Sequence, residues 1–154
     1  MYSFTEQLKK GEDGEKQLDE YFSAYCEIQK ATMQEQRQGI DRRFKDKKTG
    51  ETFTVEYKTD FIAHKTGNAF VETVSVDSVN KRGWSYNSKA DYLLYFVVKD
   101  LLVYIISMDT VRCNLSRWAS KYRKTYAQNE GYRTYGILVP LREFEEHSVQ
   151  VISL

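Results

Sequence analysis

Residues 40–58, IDRRFKDKKTGETFTVEYK, hold the side chains of this chain best suited to chemistry on an anion. Asp41 opens a predicted strand, a basic turn ending in Thr49-Gly50 follows, and a second predicted strand carries Glu56-Tyr57-Lys58. Side chains alternate along a strand, so Glu56 and Lys58 point to one face while Phe53, Val55 and Tyr57 point to the other. If the two segments pair as a hairpin, Asp41 lies beside Glu56, and two carboxylates converge with one lysine. That grouping can hold a divalent metal ion and place a water for attack on phosphate. The competing reading is a solvated hairpin, with Asp41 paired to Arg43 or Lys58 and Glu56 to Lys58, for little net stability.

Two further acids bear on this choice. Phe4, Leu8, Gly11, Glu15, Leu18, Phe22 and Tyr25 recur at spacings of three and four, which predicts a helix over 5–25 with these residues on one stripe. Glu15 then lies on the face that meets a sheet, on the same side as the hairpin acids, with Glu12 at the stripe's edge. A buried unpaired carboxylate is costly, so Glu15 requires a metal ion or a lysine unless the stripe bends it into water. Gly11 and Gly14 thin this surface and allow another backbone to approach closely. Glu72, in AFVETVSV, shares a predicted strand face with Phe70, Val74 and Val76. It either adds to the acidic site or pairs with a structural cation such as Lys65 or Lys81.

The elements that must position these groups follow from periodicity and punctuation. Strands are predicted at 28–34, 40–45, 52–59 and 69–76, and at 92–98 and 101–107 around a tight Lys99-Asp100 turn. A long helix is predicted over 110–128, with Val111, Leu115, Trp118, Tyr122 and Tyr126 as its apolar stripe. Gly131 and Gly136 punctuate its exit. A strand at 135–139, a short helix at 141–146 and a strand at 149–154 complete the chain. The expected fold is α/β, a central mixed β-sheet flanked by helices. The 154 residues form one expected domain, 1–154, with no repeat or linker dividing it.

Bulk composition narrows the function classes. The formal net charge is +1, so nucleic-acid binding must come from local basic patches. Such patches lie at Arg37, Arg42, Arg43, Lys45, Lys47 and Lys48; at Lys81, Arg82 and Lys89 around Gly83-Trp84; and at Arg117, Lys121 and Lys124. Trp84 either stacks on a base or packs in the core. The two cysteines, Cys26 and Cys113, have neither zinc-ligand spacing nor a disulfide framework. The longest apolar stretch, near 93–106, is broken by Lys99-Asp100, and no apolar signal core opens the chain. The expected setting is the reducing cytoplasm. His64 and His147 each stand alone, and no P-loop, dinucleotide fingerprint or nucleophile elbow is present.

In combination, Glu15 on a helix, Asp41 at a strand and Glu56-Tyr57-Lys58 on the next strand resemble the PD-(D/E)XK nuclease superfamily. The order of helix, strand hairpin, further sheet and second helix agrees, over roughly residues 5–107. Ile40 stands where the family has proline before its aspartate. The segment KRGWSYNSKADYLLYFVV is also similar to small phage and bacterial nuclease-like proteins of this group. The resemblance implies a restriction-endonuclease-like fold and a Mg²⁺-dependent DNA endonuclease of homing, restriction or junction-resolving type. Its product would carry a 5′-phosphate. Asp41, Glu56, the Tyr57 carbonyl and Glu15 would ligate Mg²⁺, with Mn²⁺ able to substitute, and Lys58 would orient or help deprotonate the attacking water. Glu72 would be an additional acid. Arg42, Arg43, Lys45, Lys47, Lys48, Lys81, Arg82 and Trp84 would meet DNA, and the chain would act as a homodimer or higher oligomer. The alternative is a catalytically inactive DNA-binding or scaffold protein on the same fold.

Overall fold

The computed structural model describes residues 3–154. Helix α1 (Phe4–Phe22) starts where Ser3 accepts a hydrogen bond from the Glu6 amide at 3.2 Å, satisfying one of the unpaired donors of the first turn. Strand β1 (Cys26–Lys30), a short helix α2 (Met33–Arg37) and strands β2 (Arg42–Asp46) and β3 (Thr52–Asp60) follow. Thr32 and Glu35 form a capping box that ends the expected 28–34 strand at Lys30 and starts α2. β1, β2 and β3 form an antiparallel meander, with Arg42 opposite Val55 and Phe44 opposite Phe53.

The chain then leaves this sheet through α3 (Ala63–Thr66), β4 (Asn68–Val76), β5 (Lys81–Arg82) and α4 (Trp84–Asn87). It returns as β6 (Tyr92–Val97), parallel to β3, and turns back antiparallel as β7 (Leu102–Ser107). Helix α5 (Met108–Lys121), strands β8 (Lys124–Gln128) and β9 (Arg133–Pro140), α6 (Leu141–His147) and β10 (Gln150–Ser153) complete the fold. Two sheets result: a mixed six-stranded sheet in the order β1-β2-β3-β6-β7-β10, and a four-stranded one in the order β5-β4-β9-β8.

The α/β class with mixed sheet and flanking helices therefore holds, but the expected single central sheet does not. β4 pairs with β9, far away in sequence, and the 69–76 strand joins the second sheet. The helix expected over 110–128 ends at Lys121. Tyr122 turns to φ −113°, ψ 160°, and Thr125 and Tyr126 enter β8, where Tyr126 faces Tyr135. The apolar stripe of α5 is buried at Val111, Leu115 and Trp118, and helical spacing beyond it gives way to strand-favouring residues.

Each face of the large sheet carries its own core. On one, Leu18 and Phe22 of α1 pack against Phe44, Val55, Tyr57, Leu94 and Phe96. On the other, Leu93, Tyr95 and Val97 pack against Val71, Trp84, Met108, Trp118, Ile137 and Phe144. The tyrosine hydroxyl of Tyr95 joins the sheets: it donates to Asp60 Oδ2 at 2.5 Å and accepts from the Phe70 amide at 2.9 Å. Burial, with the Asp60 carboxylate beside it, raises that hydroxyl's pKa and keeps it protonated. The apolar stripe of α1 is shorter than its sequence suggests. Phe4, Leu8 and Tyr25 are exposed, and only Gly14, Leu18 and Phe22 are buried.

Gly14 fixes how closely α1 approaches β3. A Cβ at this position would lie 2.3 Å from Thr59 Cγ2, whereas Gly11 has nothing within 4 Å. Gly14→Ala should therefore destabilise the protein by about 1–3 kcal/mol through overpacking, read as a lower urea midpoint. Gly14→Ala combined with Thr59→Ala, which removes the clashing methyl, should recover part of the loss. Equal stability of Gly14→Ala and the unsubstituted protein would contradict this packing.

Candidate active site

The candidate residues meet where β2 ends. β2 accompanies β3 only as far as the Arg42–Val55 pair, while β3 continues to Asp60 beside β6 alone. The register does not continue in step: Arg42 faces Val55 and the Asp41 amide also turns to Val55, so Asp41 stops short of the expected place opposite Glu56. The Asp41 amide donates to Val55 O at 2.9 Å, and the Tyr57 amide donates to Asp41 Oδ2 at 2.7 Å. The Asp41 side chain thus replaces the missing strand at Tyr57. In an extended strand the N–H and C=O of one residue point the same way. The Tyr57 carbonyl consequently emerges on the Asp41 side, beyond the last β2 pair.

Glu56 and Lys58 share a face, as alternation predicts, with Lys58 Nζ 3.2 Å from Glu56 Oε1. That face is the one lined by their β6 neighbours Leu93 and Tyr95. The Glu56 residue is 5% exposed, and its Oε2 is buried with no hydrogen-bond partner among the described residues. Burial raises the Glu56 pKa, against the lowering effects of Lys58 and of the nearby Ser88 hydroxyl, whose proton is directed to the Gly39 carbonyl. Burial works against the Lys58 ammonium too, but the carboxylates of Glu56, Glu72 and Asp41 outweigh it and hold its pKa above the ordinary lysine value. Lys58 is therefore a cation at neutral pH, suited to orienting a water and steadying negative charge, and poorly suited to taking a proton.

Glu72 reaches this face from the second sheet. Its Oε1 accepts from the Trp84 amide at 3.3 Å, and Ser85 Oγ donates to its carbonyl at 2.5 Å. The cation its charge bears on is Lys58, and no ion pair with Lys65 or Lys81 forms among the described residues.

Glu15 departs from expectation. Helix α1 packs on the Val55 and Tyr57 face, so Glu15 lies on the opposite side of the sheet from Glu56 and Lys58. It meets them around the open edge at Asp41. Burial and then the Asp41 charge raise its pKa. Glu12, Glu15, Asp19, Asp41 and Arg42 line an open cleft of about 550 Å³, joined by Lys16, Lys30 and Gln36. Asp19, Lys16 and Lys30 were absent from the sequence-based site. Asp19 sits one helical turn from Glu15, and that i, i+4 spacing is the signal that could have found it.

The expected DNA-facing residues divide. Arg42 and Trp84 are buried, at 7% and 6% exposure, and neither is available to DNA. Arg42 turns inward because two α1 carboxylates hold its guanidinium, and Trp84 fills the second core. Arg43 pairs with Glu35 at 2.6 Å, and Lys47 Nζ donates to Ser23 O at 2.7 Å, at the end of α1. Lys45, Lys48, Lys81 and Arg82 are exposed. Arg117 pairs with Glu143 at 2.7 Å, and Lys124 lies on β8 instead of on the helix face with Lys121.

A separate set of possible ligands is present on α6. Ligand atoms of Glu143, Glu146 and His147 all lie within 4.8 Å of one another, a group capable of coordinating a metal ion. Among the described residues no other group of three meets that spacing, so Glu15, Asp41 and Glu56 form no closed cage. His147 is thus not isolated. The Glu-x-x-Glu-His spacing on one helical turn is the signal that sequence reading passed over. Glu143, however, already accepts from Trp118 Nε1 and pairs with Arg117. Burial pushes its pKa up, but these bonds win and hold it below the ordinary value.

Both cysteines are free thiols, and no described helix is long and apolar enough to cross a membrane. No protein-family model, no curated protein and no solved structure matches the chain.

Glu15 and Glu56 both have folded pKa values above the ordinary 4.5. A carboxyl raised in this way stabilises the fold fully below its unfolded pKa, and that contribution is lost as pH rises through the folded value. At neutral pH each charge therefore costs stability. Glu15→Gln and Glu56→Gln should each melt higher than the unsubstituted protein at pH 7.5 in chelator, by about 2–4 °C per kcal/mol gained. The gain should shrink as pH falls through the raised folded values and be gone below about 4.5, in a thermal melt series.

Proposed function

We propose that this chain is a divalent-metal-dependent endodeoxyribonuclease of PD-(D/E)XK type, with Asp41, Glu56 and Lys58 as its central residues. The observation that carries the reading is Glu56 Oε2: a buried carboxylate oxygen that accepts no hydrogen bond among the described residues, near Asp41 and beside a charged lysine. An orphaned buried carboxylate oxygen costs stability, and natural folds tolerate that cost chiefly where function requires it. The donor set consists of hard oxygens from Asp41, Glu56, the Tyr57 carbonyl and, around the open edge, Glu15. It fits Mg²⁺, which keeps several waters and binds through one or two carboxylates plus substrate phosphate, so a closed three-carboxylate cage is not required. When bound, the ion supplies Lewis acidity at the scissile phosphate and a more acidic water.

The remaining work falls to the chain. Asp41, held by the Tyr57 amide, and Glu56 fix the donor positions. Lys58, protonated between Glu56 and Glu72, orients the attacking water and balances charge developing on phosphate. The open cleft beside Asp41 admits a nucleic-acid backbone, with Lys16 and Lys30 in its lining. Exposed Lys45 and Lys48 on the hairpin, and Lys81 and Arg82 on β5, offer salt-dependent phosphate contacts. A chain of this size would need two copies to cut both strands of a duplex, which favours a homodimer.

Asp41→Ala and Lys58→Ala should each remain folded by circular dichroism and lose Mg²⁺-dependent cleavage of supercoiled, linear or branched DNA, by about a hundredfold or more. Undiminished cleavage by either variant would sink the assignment. A second reading, DNA binding without cleavage, draws on the Glu56–Lys58 ion pair, which already occupies one Glu56 oxygen. Salt-dependent DNA binding by the intact protein, with no cleavage on any substrate in Mg²⁺ or Mn²⁺, would favour it.

A further inference from the structure

We infer that Arg42 is a positioning residue that sets the spacing between Glu15 on α1 and Asp41 at the end of β2, and through it the affinity of the site for a divalent cation. The inference rests on the metal-dependent reading above and extends it to three side chains outside the ligand set.

Glu15 and Asp41 belong to different elements, and a backbone ladder does not join α1 to the sheet. Arg42 supplies the tie. Its Nε donates to Asp19 Oδ1 at 3.1 Å and its Nη2 to Asp19 Oδ2 at 3.1 Å, a bidentate grip on α1. Its Nη1 donates to the Asp41 carbonyl at 2.9 Å, and Nη2 lies 3.8 Å from Glu15 Oε2. The fork therefore touches both acids' elements at once. It lies over the Tyr57 ring, with Cζ 5.2 Å from the ring centroid, and the Tyr57 hydroxyl donates to Asp19 Oδ1 at 2.8 Å. Tyr57 thus serves twice: its amide binds Asp41 and its hydroxyl braces the anchor of Arg42. The Arg42 side chain is 9% exposed, so its guanidinium is committed to these protein partners even though it forms part of the cleft wall.

Charge and geometry can be separated by substitution. Removing the guanidinium outright would also remove a positive charge near the acids, which by itself would tighten cation binding. Arg42→Lys keeps the charge and abolishes the planar fork. Mn²⁺ binding to the DNA-free protein, measured by calorimetry, should weaken by about tenfold or more in Arg42→Lys, the range seen when groups that orient metal ligands are lost. The Mn²⁺ concentration for half-maximal cleavage should rise in parallel, while the rate at saturating Mn²⁺ recovers. A folded Arg42→Lys protein with unchanged Mn²⁺ affinity would overturn the positioning role and leave the nuclease reading standing. Absence of Mn²⁺ binding by the unsubstituted protein overturns the positioning role, and absence of both Mn²⁺ binding in the presence of DNA and Mn²⁺-dependent cleavage overturns the nuclease reading as well. Should Arg42→Lys fail to fold, Tyr57→Phe decides, because it deletes only the hydroxyl bond to Asp19: weaker Mn²⁺ binding by about twofold or more supports the role, and unchanged binding overturns it.

Discussion

The hydrogen bond from the Tyr57 amide to Asp41 Oδ2 is the interaction on which the rest of the site depends. β2 stops at Arg42 and β3 does not, so the second half of β3 presents backbone groups that a neighbouring strand would normally satisfy. A side-chain carboxylate takes over that duty at Tyr57. In doing so Asp41 becomes fixed in direction, bound to the Tyr57 amide and close enough to Glu56 for their charges to interact. A strand ending is thereby converted into a cluster of oxygen donors with no loop needed to carry them.

That arrangement is expensive in charge. Glu15, Asp19, Asp41, Glu56 and Glu72 gather around two cations, Arg42 and Lys58. The imbalance shows in the raised pKa values of Glu15 and Glu56, where burial and neighbouring carboxylates act together. Each cation has its own duty. Arg42 is enclosed and ties α1 to the sheet, while Lys58, with about a third of its side chain exposed, faces the acids on the other side. The two halves of the site therefore use opposite faces of one sheet and share only its open edge.

How much of this was legible in the sequence varies with the range of the interactions. Strand alternation placed Glu56 and Lys58 together and Val55 and Tyr57 opposite them, because period two is a local property. The pairing of the two segments as a hairpin was legible for the same reason, but the shift that turns the Asp41 amide to Val55 was not. The side on which α1 packs was not legible: the helical stripe showed which residues are buried, not which sheet face buries them, and Glu15 was assigned to the wrong one. The second sheet was hidden for a similar reason. β4 reads as a strand, but its partner β9 is chosen by non-local pairing, and two partly polar strands carry no sign of which sheet they will join. Arg42 was misread because a basic residue in a basic run resembles its neighbours until Asp19 is placed beside it.

The Tyr95 hydroxyl has a mechanical consequence for the whole molecule. It holds Asp60, at the end of β3, and the Phe70 amide of β4 through one oxygen. The same Asp60 carboxylate also receives the Ile62 and Ala63 amides that start the crossover. Moving the second sheet away from the first would break this network, which ties the sheet that carries Glu72 to the one that carries Lys58. The small sheet is in this sense a buttress for the large one, set on the face opposite α1.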